Sequence, residues 1–226
     1  MKMNKVKTTI KPYYQKLVNH YEKCFEQYGE TPQGVDWPNA KDLDTRFSIM
    51  FDLFKNAISK KPFKLLDLGC GYGAFYDYLK KGNCLNKIDY MGIDLSFKLI
   101  QSAARKHGSL HFEYRDVLTD KLQPTSFDYI VMNGLFTEKN SLTHSEMKKF
   151  FIDMIKTSFD ACRVGIAFNI MNFHVDWFRE DLFYLSFDQL AIILKRYASR
   201  HFTVRADYGL YEYTVYAYKQ PNDNRG

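Results

Sequence analysis

The sequence predicts an α/β fold with a doubly wound sheet, and three observations support this class. From residue 61 onward, short apolar runs alternate with amphipathic segments of helical period, a pattern typical of parallel strands with helices on both faces. The run Val164–Met171 is apolar at most positions, as in a strand covered on both sides. Two strand-like stretches flank Gly209, which predicts a closing hairpin. We therefore expect seven strands, the last of them antiparallel.

The individual elements follow from local patterns. Helices are predicted where apolar side chains recur at helical period between capping and stop residues. They are residues 12–28 before Gly29, residues 42–59, the segment from Ser96 to Gly108, and two helices that open with the capping boxes Thr143–Glu146 and Ser186–Gln189. The predicted strands are residues 64–68, 89–95, 111–117, 127–134, 164–171, 201–208 and 211–219.

Length and composition fit a single domain. The chain has 226 residues, enough for one α/β domain with a full core. We divide it into two N-terminal cap helices (residues 1–60), the α/β core (61–220) and a flexible tail (221–226). No apolar run approaches the roughly 18–20 residues of a membrane span, and no apolar segment follows the basic N-terminus. We therefore expect neither a membrane partner nor a signal peptide.

The cysteine spacing and the net charge bear on the redox compartment and on the kind of partner. The four cysteines form no C-x-x-C pair, which is typical of reduced thiols in a cytoplasmic protein. The net charge is +6, and the lysines are spread along helices, so the charge does not call for a polyanionic partner. His107 and His111 are separated by Gly108, which breaks the helix that would align them. No cluster of His, Asp or Cys shows metal-ligand spacing, and we expect no metal site.

The segment KLLDLGCGYG, residues 64–73, is the most informative motif. An apolar strand ends in Asp67 and Leu68, glycines follow at alternate positions, and Phe75 and Leu79 then recur at helical spacing. Glycine is required where a backbone turns sharply and a ligand approaches it closely. The second predicted strand also ends in an acid, Asp94. This arrangement predicts a ligand at the carboxyl ends of the strands.

Two cofactors compete for this turn. Gly69, Gly71 and Ala74 also fit G-x-G-x-x-A, the pattern of nicotinamide dinucleotide binding, but Asp94 follows later than the roughly 20 residues usual there. A carboxylate at Asp67 is unfavourable beside a pyrophosphate. It suits S-adenosyl-L-methionine (SAM), which has a cationic sulfonium, an ammonium group and no phosphate.

At this point residues 35–219 resemble the class I SAM-dependent methyltransferases, whose motif of an acid followed by alternating glycines matches residues 67–73. The resemblance implies a Rossmann-like sheet, N-terminal helices over the cofactor, and SAM as cofactor. The implied SAM-binding residues are Asp67, Gly69, Cys70, Gly71, Gly73, Asp94, Leu95, Asp116, Val117, Asn133, Gly134 and Leu135. Asp67 and the glycine turn would contact the methionine part, Asp94 the ribose, and Asp116 the adenine amino group.

Arg46 is a further candidate for the cofactor site. Small methyltransferases that this chain resembles carry a tryptophan and then Arg-Phe ahead of the first strand, matched here by Trp37 and Arg46-Phe47. Arginine geometry suits a bidentate contact with a carboxylate. We therefore expect Arg46 to bind the carboxylate of SAM, although a surface ion pair is an equal alternative.

Catalysis of methyl transfer can come largely from positioning, and a hydroxyl acceptor also needs a general base. The candidate bases are His174 after the fifth strand, Glu138 after the fourth, and Asp181. A surface role for each remains open.

The acceptor is predicted to be a small molecule. Residues 133–136, Asn-Gly-Leu-Phe, lack the two prolines found there in methyltransferases of nucleobase amino groups, which disfavours a nucleic-acid acceptor. Residues 167–170, 181–184 and 208–212 resemble bacterial methyltransferases of cell-surface saccharide and small-molecule biosynthesis. A sugar precursor is therefore our expected acceptor, and a monomer or homodimer the expected state. The alternatives are an RNA methyltransferase, a non-catalytic SAM-fold partner subunit and an NAD(P) oxidoreductase.

Overall fold

The structure, a computed structural model, describes residues 12–222 and contains one mixed sheet flanked by helices. The strands are β1 (Phe63–Leu68), β2 (Ile88–Asp94), β3 (Phe112–Tyr114), β4 (Phe127–Phe136), β5 (Cys162–Asn172), β6 (Tyr184–Leu185), β7 (Phe202–Arg205) and β8 (Glu212–Tyr218). The α-helices are α1 (Gln15–Tyr28), α2 (Ala40–Asp52), α3 (Lys55–Ile58), α4 (Ala74–Lys81), α5 (Phe97–His107), α6 (His144–Ala161) and α7 (Phe187–Tyr197). The first eleven residues of the predicted cap and residues 223–226 of the predicted tail lie outside the described residues.

The sheet confirms the predicted fold class. Its order is β3-β2-β1-β4-β5-β8-β7, and the two-residue strand β6 pairs with β5 in addition. The strands from β3 to β5 are parallel, whereas β8 runs antiparallel between β5 and β7. The chain reverses its winding direction between β1 and β4, and ligands of such sheets bind outside the carboxyl ends of the strands at this point.

One predicted helix is broken in the structure. Residues 42–59 were expected to form a single helix, but α2 ends at Asp52 and α3 begins at Lys55. Phe54 leaves the helical conformation, with φ −128° and ψ 4°. Its buried ring packs 5.5 Å from the ring of Phe63 and 5.9 Å from that of Tyr129, between centroids. The described part of the cap therefore has three α-helices rather than two.

The core lies on both faces of the sheet because successive strand residues point in opposite directions. In β4, Ile130 and Met132 pack into an apolar cluster with residues of α6 and α7, whereas Val131 packs into a second cluster with residues of α2 and α4. Both faces are apolar, which explains the uninterrupted apolar strand sequences. Within residues 12–222, no helix has both the length and the apolar character needed to cross a bilayer.

Ion pairs link helix α1 to helix α5. Glu22 and Glu26 lie on α1 and Glu30 follows it. Lys98 pairs with Glu26 and lies 3.5 Å from a carboxylate oxygen of Glu22, and Lys106 lies 3.5 Å from one of Glu30. The two lysine side chains are 47% and 39% exposed. These pairs hold α1 across the edge of the sheet where β2 ends.

Candidate active site

The glycine turn after β1 is tied to the end of β2. The Gly69 N–H donates to the Ile93 carbonyl oxygen at 2.7 Å, and the Gly71 N–H donates to Asp94 Oδ2 at 2.9 Å. Gly69 and Gly71 have φ values of +82° and +56°, in the left-handed region that other residues rarely adopt. A Cβ at Gly69 would lie 2.9 Å from Leu135 Cδ1. Glycine therefore lets the turn approach the end of β4.

A cavity opens at the carboxyl ends of the parallel strands, underneath α1. The residues around it come from the strand ends and from one face of the helix. They are Leu68 and Gly69 at the end of β1, Asp94, Leu95 and Ser96 at the end of β2, Asp116 and Val117 after β3, Asn133, Gly134 and Leu135 in β4, Tyr14 at the N-cap of α1, and Leu17, Val18 and Tyr21 on α1, with Arg115 and several apolar residues. The structure thus brings together the site residues predicted from four separate strands.

A second, smaller cavity lies beside the glycine turn. It is lined by Asp67, Cys70 and Gly71, among others. It shares Val35, Trp37, Gly69 and Asn133 with the first cavity, which we call the main cavity. Gly73, the N-cap of α4, lines neither cavity, and a Cβ at this position would meet His107 and Phe112 instead. The two cavities together place all the other predicted residues of the glycine turn at a ligand-accessible surface.

The backbone fixes the Asp94 carboxylate. Oδ1 accepts from the Ser96 N–H at 2.8 Å, and Oδ2 accepts from the Gly71 N–H at 2.9 Å. Burial raises the pKa of Asp94, and the backbone hydrogen bonds partly offset this effect. A carboxylate has about four acceptor positions. Asp94 can therefore accept further hydrogen bonds from a ligand in the cavity.

Asp67 is the most buried acid of the predicted site. It lies within β1 and is 2% exposed, and its Oδ2 accepts from the Tyr90 hydroxyl at 2.7 Å. Burial raises the pKa of Asp67 to about 7, and the Tyr90 hydrogen bond opposes the rise. The carboxyl therefore takes up a proton far more readily than an ordinary aspartate.

We expect Asp67→Asn to change how stability depends on pH. The folded-state pKa of about 7 exceeds the ordinary value of 3.8, so the unfolded chain loses this proton first. The contribution of Asp67 to the free energy of unfolding therefore falls as pH rises from about 4 to about 7. Asparagine does not titrate. The free energy of unfolding of the variant should therefore rise relative to that of wild type between about pH 4 and about pH 7, and the difference should stay constant above pH 7.

Urea denaturation between pH 4 and pH 8 measures this difference. Asp89→Asn, at the start of β2 where the side chain is 69% exposed, controls for the substitution itself. A difference between Asp67→Asn and wild type that does not change with pH would show that the folded state does not perturb Asp67.

Asp116 lies in a loop, because β3 covers only Phe112–Tyr114 and not residues 111–117 as predicted. The resemblance implies that Asp116 accepts from adenine. In the structure both of its oxygens have partners within the chain: Oδ2 accepts from the Tyr14 hydroxyl at 2.9 Å, and Oδ1 from the Leu118 N–H at 3.0 Å. Burial and the bond to Asp116 raise the pKa of Tyr14. Asp116 thus holds α1 over the cavity.

Strand β4 continues two residues past its predicted end and is irregular at Gly134, where φ is +79° and the pairing with β5 shifts register. The Gly134 N–H donates to Asn169 Oδ1 at 2.7 Å. A Cβ at this position would lie 2.5 Å from Trp37 Cζ2, so a larger residue would displace the indole. Asn133 Oδ1 is buried and has no hydrogen-bond partner among the described residues.

Arg46 belongs to a buried network that the sequence analysis did not predict. Its Nε donates to both carboxylate oxygens of Glu212 at 3.0 Å, and Asn169 Nδ2 donates to Glu212 Oε1 at 2.8 Å. The guanidinium carbon lies 3.8 Å from the Trp37 ring centroid, a cation–π contact. Arg46 Nη1 is buried and has no partner within residues 12–222. Asn169 extends the network to the Gly134 N–H, at the end of β4.

The three candidate bases occupy different environments. None of the three lines either cavity, and His174 is exposed after β5. Asp181 accepts from Arg179 Nε at 3.1 Å, and this contact lowers the pKa of Asp181, which makes it a weaker base. Burial and the nearby Asp36 raise the pKa of Glu138 to about 7, and Arg179 opposes the rise. Glu138 Oε2 is buried and has no hydrogen-bond partner in the described chain.

Glu138 and Asp181 should therefore titrate far apart. We expect the Glu138 carboxyl to titrate near pH 7 and the Asp181 carboxyl below the usual aspartate range, as ¹³C NMR of the side-chain carboxyls can measure. Glu138→Gln identifies the resonance. Asp36→Asn should lower the pKa of Glu138, because the Asp36 carboxylate contributes to its rise. A Glu138 pKa in the ordinary glutamate range would show that water solvates this carboxyl freely.

Two tyrosines, one at the N-cap of α1 and one within it, were not predicted as site residues. Tyr14 and Tyr21 both line the main cavity, and the Tyr21 hydroxyl donates to the Gly134 carbonyl oxygen at 3.4 Å. Their position on one helical face with Leu17 and Val18 was visible in the sequence. That pattern indicates burial, however, and does not distinguish a core from a cavity wall.

The sequence analysis did not anticipate one cluster of His, Cys and Asp side chains. His20, Cys24 and Asp36 place one nitrogen, one sulfur and one oxygen within 4.8 Å of one another. His20 and Cys24 are four residues apart on α1, which the sequence could have shown. Asp36 comes from the turn after Pro32–Val35, and no sequence spacing indicates that approach.

Comparison with known proteins agrees with this geometry. A family model described as "Methyltransferase domain" matches residues 66–155. A Mycobacterium tuberculosis protein named "Putative methyltransferase Rv1506c" is 35% identical over 162 residues, which cover 68% of this chain and 92% of the relative.

Solved structures share the fold. The magnesium protoporphyrin IX methyltransferase of Synechocystis PCC 6803 with bound SAM superposes with a TM-score of 0.62 at 14% identity, covering 94% of this chain and all of that one. A SAM-dependent methyltransferase of Leishmania major gives a TM-score of 0.60 at 17% identity, covering 91% of this chain and 82% of that one.

Proposed function

This chain belongs to the class I SAM-dependent methyltransferases, and from this premise we propose that it transfers the SAM methyl group to a small-molecule acceptor beside Gly134. When bound, SAM supplies an electrophilic methyl group on a sulfonium sulfur. One observation carries the proposal: the ends of β1, β2 and β4 and the loop after β3 meet at a single cavity beneath α1. Family membership sets aside the NAD(P) oxidoreductase alternative.

The residues present fit SAM in their hydrogen-bonding character. Arg46 Nη1 is a buried donor and Asn133 Oδ1 a buried acceptor, and neither has a partner among the described residues. An amino acid moiety offers the complementary pair, a carboxylate and an ammonium group. We assign Arg46 to the carboxylate, Asn133 with Asp67 to the ammonium, and Asp94 to the ribose hydroxyls. Pairing of Arg46 with Glu212 leaves Nη1 available for this role.

Adenine is assigned to the apolar part of the main cavity. Leu95, directly after β2, and Val117, in the loop after β3, line it, and their side chains can pack against a purine. Asp116 would act mainly by holding Tyr14 and thereby α1. Helix α1 then excludes water from the cavity, and this strengthens the electrostatic contacts inside.

For an acceptor that must lose a proton, we propose Glu138 as the general base. It follows Gly134 by four residues, and a pKa of about 7 suits proton transfer near neutral pH, which typically contributes about 10²–10⁴-fold. His174 lies in an exposed loop, and Asp181 is neutralised by Arg179. Trp37 and Tyr21, which line the cavity together with Gly134, would position the acceptor.

The proposed acceptor class is a saccharide precursor or similar small molecule. Support comes from the likeness of residues 167–170, 181–184 and 208–212 to saccharide-modifying enzymes. An RNA acceptor and a non-catalytic partner subunit are the alternatives.

The test combines binding and transfer. S-adenosylhomocysteine (SAH) should stabilise the fold by about 2.7 kcal/mol at a hundredfold excess over its dissociation constant, and NADH should not. Methyl-labelled SAM, incubated with panels of nucleotide sugars, monosaccharides, amines and bulk RNA, should label the small-molecule fractions. Labelled RNA would reverse the acceptor proposal. SAH binding without transfer to any panel would favour the non-catalytic subunit, and stabilisation by NADH alone would contradict SAM as cofactor.

A further inference from the structure

His20, Cys24 and Asp36 form a cluster that the methyl-transfer proposal does not use. His20 and Cys24 lie one turn apart on the same face of α1, with His20 Nε2 3.6 Å from Cys24 Sγ. In a tetrahedral zinc site, bonds of roughly 2.0 Å to nitrogen and 2.3 Å to sulfur place these two ligands about 3.5 Å apart. The helix therefore presents a nitrogen and a sulfur at the separation that a zinc ion needs.

Asp36 supplies the third donor atom. Its Oδ2 lies 2.6 Å from His20 Nε2, the length of a hydrogen bond. Two zinc ligands of these types lie about 3.3 Å apart, so the carboxylate would move outward by about 0.7 Å when a metal ion replaces the shared proton. The His20 and Asp36 side chains are 30% and 37% exposed. Solvent exposure allows both the movement and the entry of an ion.

A further carboxylate, Glu138, interacts with the charges of this cluster. Its Oε2 is buried without a partner among the described residues. Carboxylates close to one another in a partly buried site repel one another. A divalent cation bound by His20, Cys24 and Asp36 would offset the repulsion between Asp36 and Glu138.

We propose that His20 Nε2, Cys24 Sγ and the Asp36 carboxylate bind one zinc ion, or another divalent transition-metal ion of similar softness. Sulfur and imidazole donors favour zinc over magnesium or calcium, which take oxygen ligands. Binding releases the thiol proton of Cys24 and the proton shared by His20 and Asp36 to solvent. Three protein ligands leave a fourth position for water or another ligand, as in catalytic rather than structural zinc sites.

None of the three ligands lines the main cavity, but their sequence neighbours Tyr21, Val35 and Trp37 do. Tyr21 follows His20 directly, lines the cavity, and contacts the Gly134 carbonyl oxygen. An ion at this place could bind an acceptor oxygen or nitrogen in its fourth position. This last step rests on the proposed function, whereas metal binding itself does not.

Metal binding can be measured on the full chain without a methyl acceptor. After dialysis against a chelator and then metal-free buffer, titration calorimetry with ZnCl₂ should show one equivalent bound. Co²⁺ should bind at the same stoichiometry and give the near-ultraviolet charge-transfer absorption of a thiolate ligand. His20→Ala, Cys24→Ser and Asp36→Asn should each weaken Zn²⁺ binding at least about tenfold. Cys84→Ser, at another half-buried free thiol, should leave binding unchanged.

Three results would overturn the proposal. They are absence of stoichiometric Zn²⁺ binding by the wild type, thiolate-to-cobalt absorption that persists in Cys24→Ser, and equal loss of binding in Cys84→Ser. Far-ultraviolet circular dichroism and SAH binding of each variant show whether it is folded. If SAH binds but Zn²⁺ does not, the metal site fails while the methyltransferase proposal stands.

Discussion

Replacing Glu212 with alanine should lower the free energy of unfolding by about 3–5 kcal/mol, because it leaves the buried guanidinium of Arg46 without its counter-charge. The two side chains are 1% and 8% exposed, and Arg46 Nε and Nη2 both contact the Glu212 carboxylate at 3.0 Å. The substitution also removes the acceptor of Asn169 Nδ2. Urea denaturation of variant and wild type measures the loss.

Two further variants separate the charge from the packing. Arg46→Met combined with Glu212→Leu removes both charges and should recover most of the stability lost in Glu212→Ala, since the cost arises from an unpaired buried charge. Asp153→Ala breaks the exposed pair between Lys149 and Asp153 and should cost less than about 1 kcal/mol. If Glu212→Ala costs no more than Asp153→Ala, water must reach the Arg46 guanidinium.

Replacing Asp94 with alanine should weaken SAH binding about ten- to several-hundredfold. The prediction follows from the loss of two hydrogen bonds to a charged acceptor, at about 1.5–3 kcal/mol each before compensation by water. The backbone N–H groups of Gly71 and Ser96 hold this carboxylate at the cavity wall. Titration calorimetry with SAH gives the affinity, and Asp94→Asn tests the charge at nearly constant size.

Asp89→Ala is the matched control for this site. Asp89 lies on the same strand as Asp94 but near its other end, and its side chain is 69% exposed. We expect SAH affinity within error of wild type for Asp89→Ala. Unchanged affinity in a folded Asp94→Ala variant would instead mean that Asp94 does not hold the ribose.

The sequence predicted most of the fold because the informative interactions are local. The turn at Gly69–Gly73, the Ser96 cap and the capping box at Thr143 all appear in the structure as expected. Each depends on residues within a few positions of one another. The predicted strand-end residues also meet at one cavity, because parallel strands bring their carboxyl ends to the same edge.

The remaining features depend on contacts between distant parts of the chain. Arg46 and Glu212 are 166 residues apart, and nothing in either local pattern indicates their pairing. The break at Phe54 has no proline or glycine to mark it, because the packing of its ring on Phe63 and Tyr129 decides the conformation there. Periodicity shows that a side chain is buried, but it does not show which other part of the chain that side chain contacts.

The ion pairs between α1 and α5 should affect the rate of ligand release. A ligand in the main cavity lies beneath α1, so we expect its release to involve movement of this helix away from Lys98 and Lys106. Contacts between partly exposed charges weaken as salt shortens the Debye length, which is about 8 Å at 0.15 M and about 3 Å at 1 M. The residence time of SAH should therefore shorten as ionic strength rises. Stopped-flow displacement of SAH would measure this change. A dissociation rate that does not depend on salt would mean that α1 does not move during release. Tyr14 and Leu17 pack into the core. They would keep the N-terminal end of α1 in place while its C-terminal end moves away from α5.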